Sequence, residues 1–437
     1  MAEVTHTSAD PAGFTRERGE PLRCYRHWRN AIAGDEALLV VEFPLQRYWL
    51  EADEPLQLTA IYCAHGATLH VAVTDQVLTG DGLAPRQQYL RWVAQHRLLS
   101  FEPSTPLSLH PHYIDKPWGR EIWYTGVERR GVCMFASGNA RTPIPWLQAV
   151  LPSAALGQPG VPLLLLKILD PLPQPVLGDL YFELHETKHE AYVVTRIDRQ
   201  AWPDGTAYVR CGFDPQRIAR YPDHEDFRAA YLESVLAYET LRRELDELLE
   251  GGGTPDPVQQ GQELLLRERM EAFTQLHPLR VGDVFRIPPL LPHALQHGVR
   301  VVEFQTPSYE RKIISFAQKV LTQDHWDSRE AVARMLLGGP AICSQREHAA
   351  LSGFEVEQIV DFPDFEVWRL AINPGMRWQV DSGPSYALLL VVTGVLELAG
   401  SQYGAEQAVL LPRGWSGELQ VPQASLPVVL LLAKPRG

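Results

Sequence analysis

The longest apolar stretches in this chain, Val161 to Leu169 and Pro427 to Ala433, have only the length of a strand. Nothing approaches the roughly eighteen apolar residues that a membrane-crossing helix needs. Such a chain must assemble its core from many short pieces, and most of them read as strands. Ala37 to Phe43 and Leu56 to Val73 come first, followed by Arg120 to Tyr124, Val161 to Leu169, Leu180 to His185, Glu190 to Thr195, Val281 to Ile287 and Arg300 to Gln305. These segments are rich in β-branched, leucine and aromatic residues and are broken by turn formers.

One region departs from that pattern. Phe227, Tyr231, Val235, Tyr238, Leu241, Leu245 and Leu248 recur at three and four residues, which predicts a single buried helical stripe between Asp223 and Glu250. Asp223 suits the N-cap, and Gly251 to Gly253 stop the helix. A second helix is expected from Val258 to Leu276, ended by Pro278, and a linking helix from Arg329 to Leu337. Phe354 to Pro435 returns to short strands, with turns at Asn373-Pro374-Gly375, Asp381-Ser382-Gly383 and Pro412-Arg413-Gly414, and reads as a second small β-sandwich. No period of twenty to fifty residues repeats, which argues against a solenoid or propeller.

The 437 residues suffice for two or three domains. A β-rich block is expected over 1–105, a sandwich with a helical insertion at about 215–278 over 106–325, and a further sandwich over 326–437. The first boundary falls in Phe101 to Pro117, which holds four prolines with His110 and His112 and leads into Lys116-Pro117-Trp118-Gly119. Forty Lys and Arg against 53 Asp and Glu leave a formal charge of −13, which disfavours nucleic acid and anionic membrane surfaces as partners. The first residues lack the basic and apolar regions of a secretory leader. Cys24, Cys63, Cys133, Cys211 and Cys343 are odd in number and without CxxC spacing, so a reduced, cytoplasmic setting fits better than a disulfide framework.

Chemistry is concentrated in two segments. In Gly178-Asp-Leu-Tyr-Phe-Glu183-Leu-His185-Glu-Thr-Lys188-His189-Glu190, residues two apart share a strand face, so Glu183 and His185 point one way while Phe182 and Leu184 point the other. A tight turn through Glu186 and Thr187 is expected to bring Glu190 onto the neighbouring antiparallel strand. About a hundred residues on, Gly282-Asp-Val-Phe-Arg-Ile-Pro288-Pro-Leu-Leu-Pro292-His293 supplies a further imidazole. Glu183, His185, Glu190 and His293 form a carboxylate and imidazole set suited to Zn²⁺, Mn²⁺ or Fe²⁺. Unpaired buried carboxylates are strongly unfavourable, and a cation is the simplest way to hold them. Lys167 interrupts the apolar run VPLLLLKIL, where an ammonium needs a partner or a function. His110, His112, His189 and His297 read as ordinary histidines, and Trp118 and Trp123 as core aromatics.

The spacing of the two segments resembles the paired motifs of cupins, the first normally HxHxxxxE. Here Glu183 stands for the first His, and Leu290 for the glycine usually found two residues after the proline. From Lys116 onward the chain resembles the type I mannose-6-phosphate isomerases (phosphomannose isomerases), a bicupin family with a helical insertion in its catalytic half. The matching pieces are KPWGRE, LLLLKILD, ELHETKHE, IPPLLPHAL and VVEFQTPSYERK. This resemblance implies a mainly β bicupin of two jelly-roll sandwiches, preceded by an extra β-rich region. It implies one zinc ion, with Mn²⁺ or Fe²⁺ as alternatives, on Glu183, His185, Glu190 and His293, and interconversion of mannose 6-phosphate and fructose 6-phosphate through an enediolate. By the same resemblance Arg311 and Lys188 act in catalysis, and Lys167 and Tyr181 contact the sugar phosphate. The departures are Glu183 for Gln, Tyr181 for Ser two residues earlier, Glu186 for Pro, and a missing loop between the His and Glu ligands. A glutamate in place of the glutamine strengthens cation binding and weakens Lewis acidity. The base is open between Glu186, His189 and a metal-held hydroxide. A cupin that binds a sugar or sugar phosphate without converting it, and an oxygenase or other metal cupin acting on a small acid, are the competing readings.

Overall fold

The computed structural model describes residues 13–32, 34–51, 54–151, 154–321, 323–339, 348–351 and 353–436. The leader reading of the first twelve residues and the thiol of Cys343 lie outside them. The chain is mainly β and divides into two compact units, one comprising 113–122 and the segment from 166, the other comprising the residues up to 112, 123–165 and the C-terminal segment from 345.

The first of these units carries the candidate site in a two-sheet sandwich. One sheet has six strands in the order Val284–Ile287, Glu190–Ile197, Val299–Gln305, Leu165–Pro171, Gly119–Trp123 and His112–Lys116. The other has five: Thr274–Leu279, Ala207–Phe213, His293–Leu295, Phe182–Leu184 and Lys312–Ser315. Val194, Val299, Val301 and Leu169 of the first sheet pack against Val209, Cys211, Leu295 and Ile313 of the second. Each such side chain, fully buried, is worth about 1.5–3 kcal/mol of transfer free energy, so this layer holds the sheets face to face. Trp118 lies in this core, and Trp123 is equally buried.

Phe182 and Leu184 face outward from the five-stranded sheet, as their spacing predicts, but not toward water. The helix His224–Glu250 covers them with Phe227, Tyr231, Val235 and Tyr238. Asp223 caps that helix, its carboxylate accepting from the Glu225 and Asp226 N–H groups at 2.9 Å each. The next helix, Pro257–Glu271, is shorter than its periodicity suggests. Thr274–Leu279 leaves it to pair antiparallel with Ala207–Phe213, because a free sheet edge satisfies those backbone groups and Pro278 cannot continue a helix. The linking helix is Ser328–Arg334.

In the other unit, Phe354–Asp361, Phe365–Ile372, Ala387–Thr393, Ala408–Leu411 and Val428–Pro435 belong to a nine-stranded sheet, packed through Leu389, Leu430 and Val409 on a four-stranded one holding Leu398 and Leu419. The stretch expected to be turn-rich contains two strands, Leu107–His110 and His112–Lys116, the former paired with Ala408–Leu411 in that nine-stranded sheet. A separate sheet of Phe14–Arg18, Glu36–Leu45, Leu56–His65 and Thr68–Thr74 forms the early β-rich block. Two helices unread in the sequence, Pro21–Ala31 and Pro85–His96, accompany it. The first buries only Pro21, Cys24 and Trp28, too few positions to make a visible stripe, although Glu20 followed by Pro21 is a recognisable start. Cys24, Cys63, Cys133 and Cys211 are buried free thiols. No helix among the described residues is long and apolar enough to cross a membrane.

Candidate metal centre

The inner face of the six-stranded sheet changes character along its strands. Val194, Val299, Val301 and Leu169 are core residues, whereas further along the same faces stand Glu190, Glu303 with Gln305, and Lys167. Register places Glu190 beside Gln305 and Tyr192 beside Glu303. Opposite, Glu183 lies in direct antiparallel register with His293, and His185 follows the end of Glu183's strand. Glu190 therefore does not neighbour Glu183 and His185 within a hairpin, as the sequence suggested. The chain crosses to the opposing sheet between them, and Glu190 meets the two imidazoles across the sandwich. The crossing is fixed by Glu310, whose Oε1 accepts from the N–H groups of Glu186 at 2.7 Å and Thr187 at 2.9 Å.

The convergence is tight. Glu190 Oε2 lies 3.1 Å from His185 Nε2 and 3.1 Å from His293 Nε2. His185 Nδ1 donates to the Glu310 carbonyl at 3.1 Å and His293 Nδ1 to the Leu291 carbonyl at 3.0 Å. A carbonyl only accepts, so both Nδ1 atoms carry their protons, and it is in the neutral form that each ring presents an Nε2 lone pair to the centre. This is the outer arrangement that orients metal-binding histidines. Ligand atoms of Glu183, His185 and His293 lie within 4.8 Å of one another, while Glu190 approaches both rings from the other sheet. His185 Nε2 and Glu183 Oε2 are buried with no hydrogen-bond partner. Two lone pairs and two carboxylates facing each other fit a divalent cation, and the orphaned atoms are the ones a cation would satisfy.

The electrostatics point the same way. Burial works against ionised Glu190, but the nearby His185 and Lys188 and the hydrogen bond with His293 outweigh it and hold the carboxyl well below the usual carboxylate range. Burial lowers the pKa of His185. Burial also opposes the charged form of His293, yet its hydrogen bond to Glu190 prevails and raises its pKa.

The remaining expected residues surround this centre. Lys188 Nζ is 2.9 Å from Glu190 Oε1, with Lys188 only 5% exposed. Arg311 reaches Glu183 Oε2 at 3.7 Å and lies over the Tyr181 ring at 4.7 Å. Tyr181 is buried against Phe316, ring centres 4.2 Å apart, so its ring is a wall of the core as well as a platform for Arg311. Lys167 bonds Gln305 Oε1 at 2.9 Å and pairs with Glu303 Oε2 at 3.3 Å. Glu186 is engaged by Arg334 and Lys312, and the His189 N–H donates to Thr306 Oγ1 at 3.0 Å.

Sequence reading missed Glu303. Burial lifts its carboxyl to about 7 despite Lys167, and its Oε2 has no hydrogen-bond partner. The signal was available: a glutamate inside the apolar VVEFQ strand poses the same problem as Lys167 inside VPLLLLKIL, and the two solve it together. Glu310 was also missed, since its role lies in the backbone it holds.

No family model and no curated protein matches the sequence. Solved structures do match. The mannose 6-phosphate isomerase of Bacillus subtilis aligns over 75% of this chain and 99% of its own, with a TM-score of 0.53 at 14% identity. A zinc-bound mannose 6-phosphate isomerase aligns over 76% of this chain and all of its own, with a TM-score of 0.52 at 12% identity. The Salmonella typhimurium enzyme, bound to fructose 6-phosphate as substrate and to zinc, gives the same coverage with a TM-score of 0.51 at 13% identity. Across this distance it is the architecture that is shared, and the chain has the fold of the mannose 6-phosphate isomerases.

Proposed function

We propose that this protein is a zinc-dependent aldose–ketose isomerase acting on a sugar phosphate, with mannose 6-phosphate and fructose 6-phosphate as the favoured pair. The observation that carries the proposal is the meeting of His185 and His293 Nε2 on one buried carboxylate oxygen, each ring locked by a backbone carbonyl. In this reading Glu183, His185, Glu190 and His293 hold the ion. When bound, the ion supplies Lewis acidity toward the sugar's C1 and C2 oxygens.

The chain's own groups supply the rest. Isomerisation moves a proton between adjacent carbons, which calls for a group whose pKa lies near the working pH. Glu303 meets that requirement, buried and lifted to about 7. Glu186, one of the three candidates left open by the sequence, is occupied by Arg334 and Lys312, and Glu303 is the base favoured here. Lys167 holds Glu303 in place, and Gln305 fixes Lys167. Lys188 and Arg311 offset the negative charge of the enediolate. The side chains of Glu183 and Arg311, at 18% and 19% exposed, are the most open of the set, so the sugar approaches from their side. The buried thiols suit the proposed cytoplasmic setting.

The test is to load the protein with zinc and follow fructose 6-phosphate by proton NMR in D₂O. Mannose 6-phosphate should form with solvent exchange at C2. Protein that takes up one zinc and converts no hexose or pentose phosphate would remove the proposal. A second reading, a cupin-like binder without turnover, is favoured by the Tyr181 ring packed between Phe316 and Arg311 where a smaller residue leaves room. Saturable binding of fructose 6-phosphate without exchange would select it.

A further inference from the structure

Two short crossings join the sheets beside the metal position, and they run side by side. The first, residues 185–189, leaves strand Phe182–Leu184 of the five-stranded sheet and enters strand Glu190–Ile197 of the six-stranded one. The second, residues 306–311, leaves strand Val299–Gln305 of the six-stranded sheet and returns to strand Lys312–Ser315 of the five-stranded one. Their ends are paired, Leu184 in register with Lys312 and Glu190 with Gln305. Neither crossing lies in a helix or a sheet, so its backbone groups need other partners.

Glu310 supplies several of them. Its Oε1 accepts from the Glu186 N–H at 2.7 Å, from the Thr187 N–H at 2.9 Å and from the Thr187 hydroxyl at 3.4 Å. Its backbone carbonyl accepts from His185 Nδ1 at 3.1 Å. At the other end of the first crossing, the His189 N–H donates to Thr306 Oγ1 and the Thr306 N–H to the His189 carbonyl, both at 3.0 Å. Gln305 steadies the second crossing in turn, its Nε2 donating to the Ser308 carbonyl at 3.0 Å.

From this arrangement we infer that Glu310 is a positioning residue of the metal centre, its carboxylate setting where His185 and Glu190 stand relative to each other. The inference rests on the reading above, in which Glu183, His185, Glu190 and His293 hold a zinc ion. Only residues 186–189 separate His185 on one side of the sandwich from Glu190 on the other. Strand packing places the sheets, but the path of that link is set by its bonds to Glu310 and Thr306. A metal site needs its donors held to within about 0.5 Å. Glu186 is half-buried and Thr187 exposed, so without the carboxylate their N–H groups turn to water. The fold then survives, while the link beside His185 gains freedom and the donor geometry loosens.

Glu310→Ala and Glu310→Gln both remove the negative charge, but only glutamine keeps an oxygen to accept from the Glu186 and Thr187 N–H groups. Comparing the two separates positioning from electrostatics. Zinc affinity is measured by competition with a chromophoric chelator in one buffer. Glu310→Ala should weaken zinc binding about tenfold, the lower end of what the outer partners of metal ligands contribute. Glu310→Gln should recover most of that loss. Urea unfolding of the metal-free proteins reads the fold separately, and both variants should keep the slope of the parent. Should Glu310→Ala fold poorly, Thr306→Val and Thr306→Ser repeat the comparison at the other end of the crossing. Only serine keeps a hydroxyl for the His189 N–H, so valine should weaken zinc binding and serine should not. Equal weakening within a pair, or none in either member, overturns the inference and leaves the metal centre standing. Parent protein that takes up no zinc overturns the metal centre and the inference with it.

Discussion

Leu290 occupies the position where the cupin-type motif has glycine, and its backbone has kept the glycine conformation, with φ at +66°. The local hydrogen bonds hold it there. The Leu290 N–H donates to the His185 carbonyl at 2.6 Å, and its own carbonyl accepts from the Leu336 N–H at 2.8 Å. A side chain in this left-handed region costs about 1–2 kcal/mol. The Leu290 side chain is partly buried against the helical cluster of Phe227 and Tyr231, which recovers about 1 kcal/mol, roughly half the value of a fully buried leucine. Leu290→Ala keeps the strain and loses the packing, and should destabilise by about 1 kcal/mol. Leu290→Gly loses the same packing but releases the strain, and should come out near neutral, about 1 kcal/mol above the alanine variant. Elsewhere glycine is the worse of the two by about 0.5–1 kcal/mol, so the expected order is inverted. Urea unfolding of both variants with matched slopes reads the difference directly. An alanine variant as stable as the glycine variant, or more so, would refute the claim that this backbone is strained. Zinc affinity serves as a second reading. Both variants keep the hydrogen bond to the His185 carbonyl, so both should bind zinc as the parent does.

The other expectations are these. His293→Ala should abolish high-affinity zinc binding, seen by metal analysis after dialysis, because it removes one of the two Nε2 donors facing Glu190. Glu190 raises the pKa of His293, so a proton competes with zinc for its Nε2, and affinity should fall as pH drops through that raised value and recover above it, as titrations across pH would record. Glu303 has its folded pKa lifted from 4.5 to about 7, so the native state holds this proton more tightly than the unfolded one. Its contribution to stability is then full below pH 4.5 and is lost as pH rises through 7, and Glu303→Gln should flatten that part of the stability profile in thermal unfolding. Gly178→Ala should destabilise by about 2 kcal/mol or more, measured by urea unfolding, since its Cβ would fall on the Leu172 carbonyl oxygen and within 2.7 Å of His297 Cβ.

How much was legible depended on whether a signal was local. The helix beginning at Asp223 was readable because its cap, its apolar stripe and its glycine stop all lie within one segment. Glu183 and His185 on one face, with Phe182 and Leu184 on the other, followed from the strand period alone. Helix Pro21–Ala31 was missed because three buried positions on an otherwise polar surface give no period. Strand Thr274–Leu279 was missed because a helical spacing ran on into residues whose partner, Ala207–Phe213, lies some sixty positions earlier. Lys167 stood out as a charge in a greasy run, yet its counterpart Glu303 is 136 residues away, and only sheet order brings them together.

The sequence by itself determined the strand-rich architecture with its helical insertion and the order of the four donors along the chain, because backbone period and turn chemistry act between near neighbours. Tertiary structure alone decided that Glu190 approaches from the opposing sheet, that Lys188 and Arg311 lean on the donors' own carboxylates, and that Glu303 is buried enough to titrate near neutrality. Those are properties of dielectric and distance. They come into being only when two sheets close over groups that the chain keeps far apart.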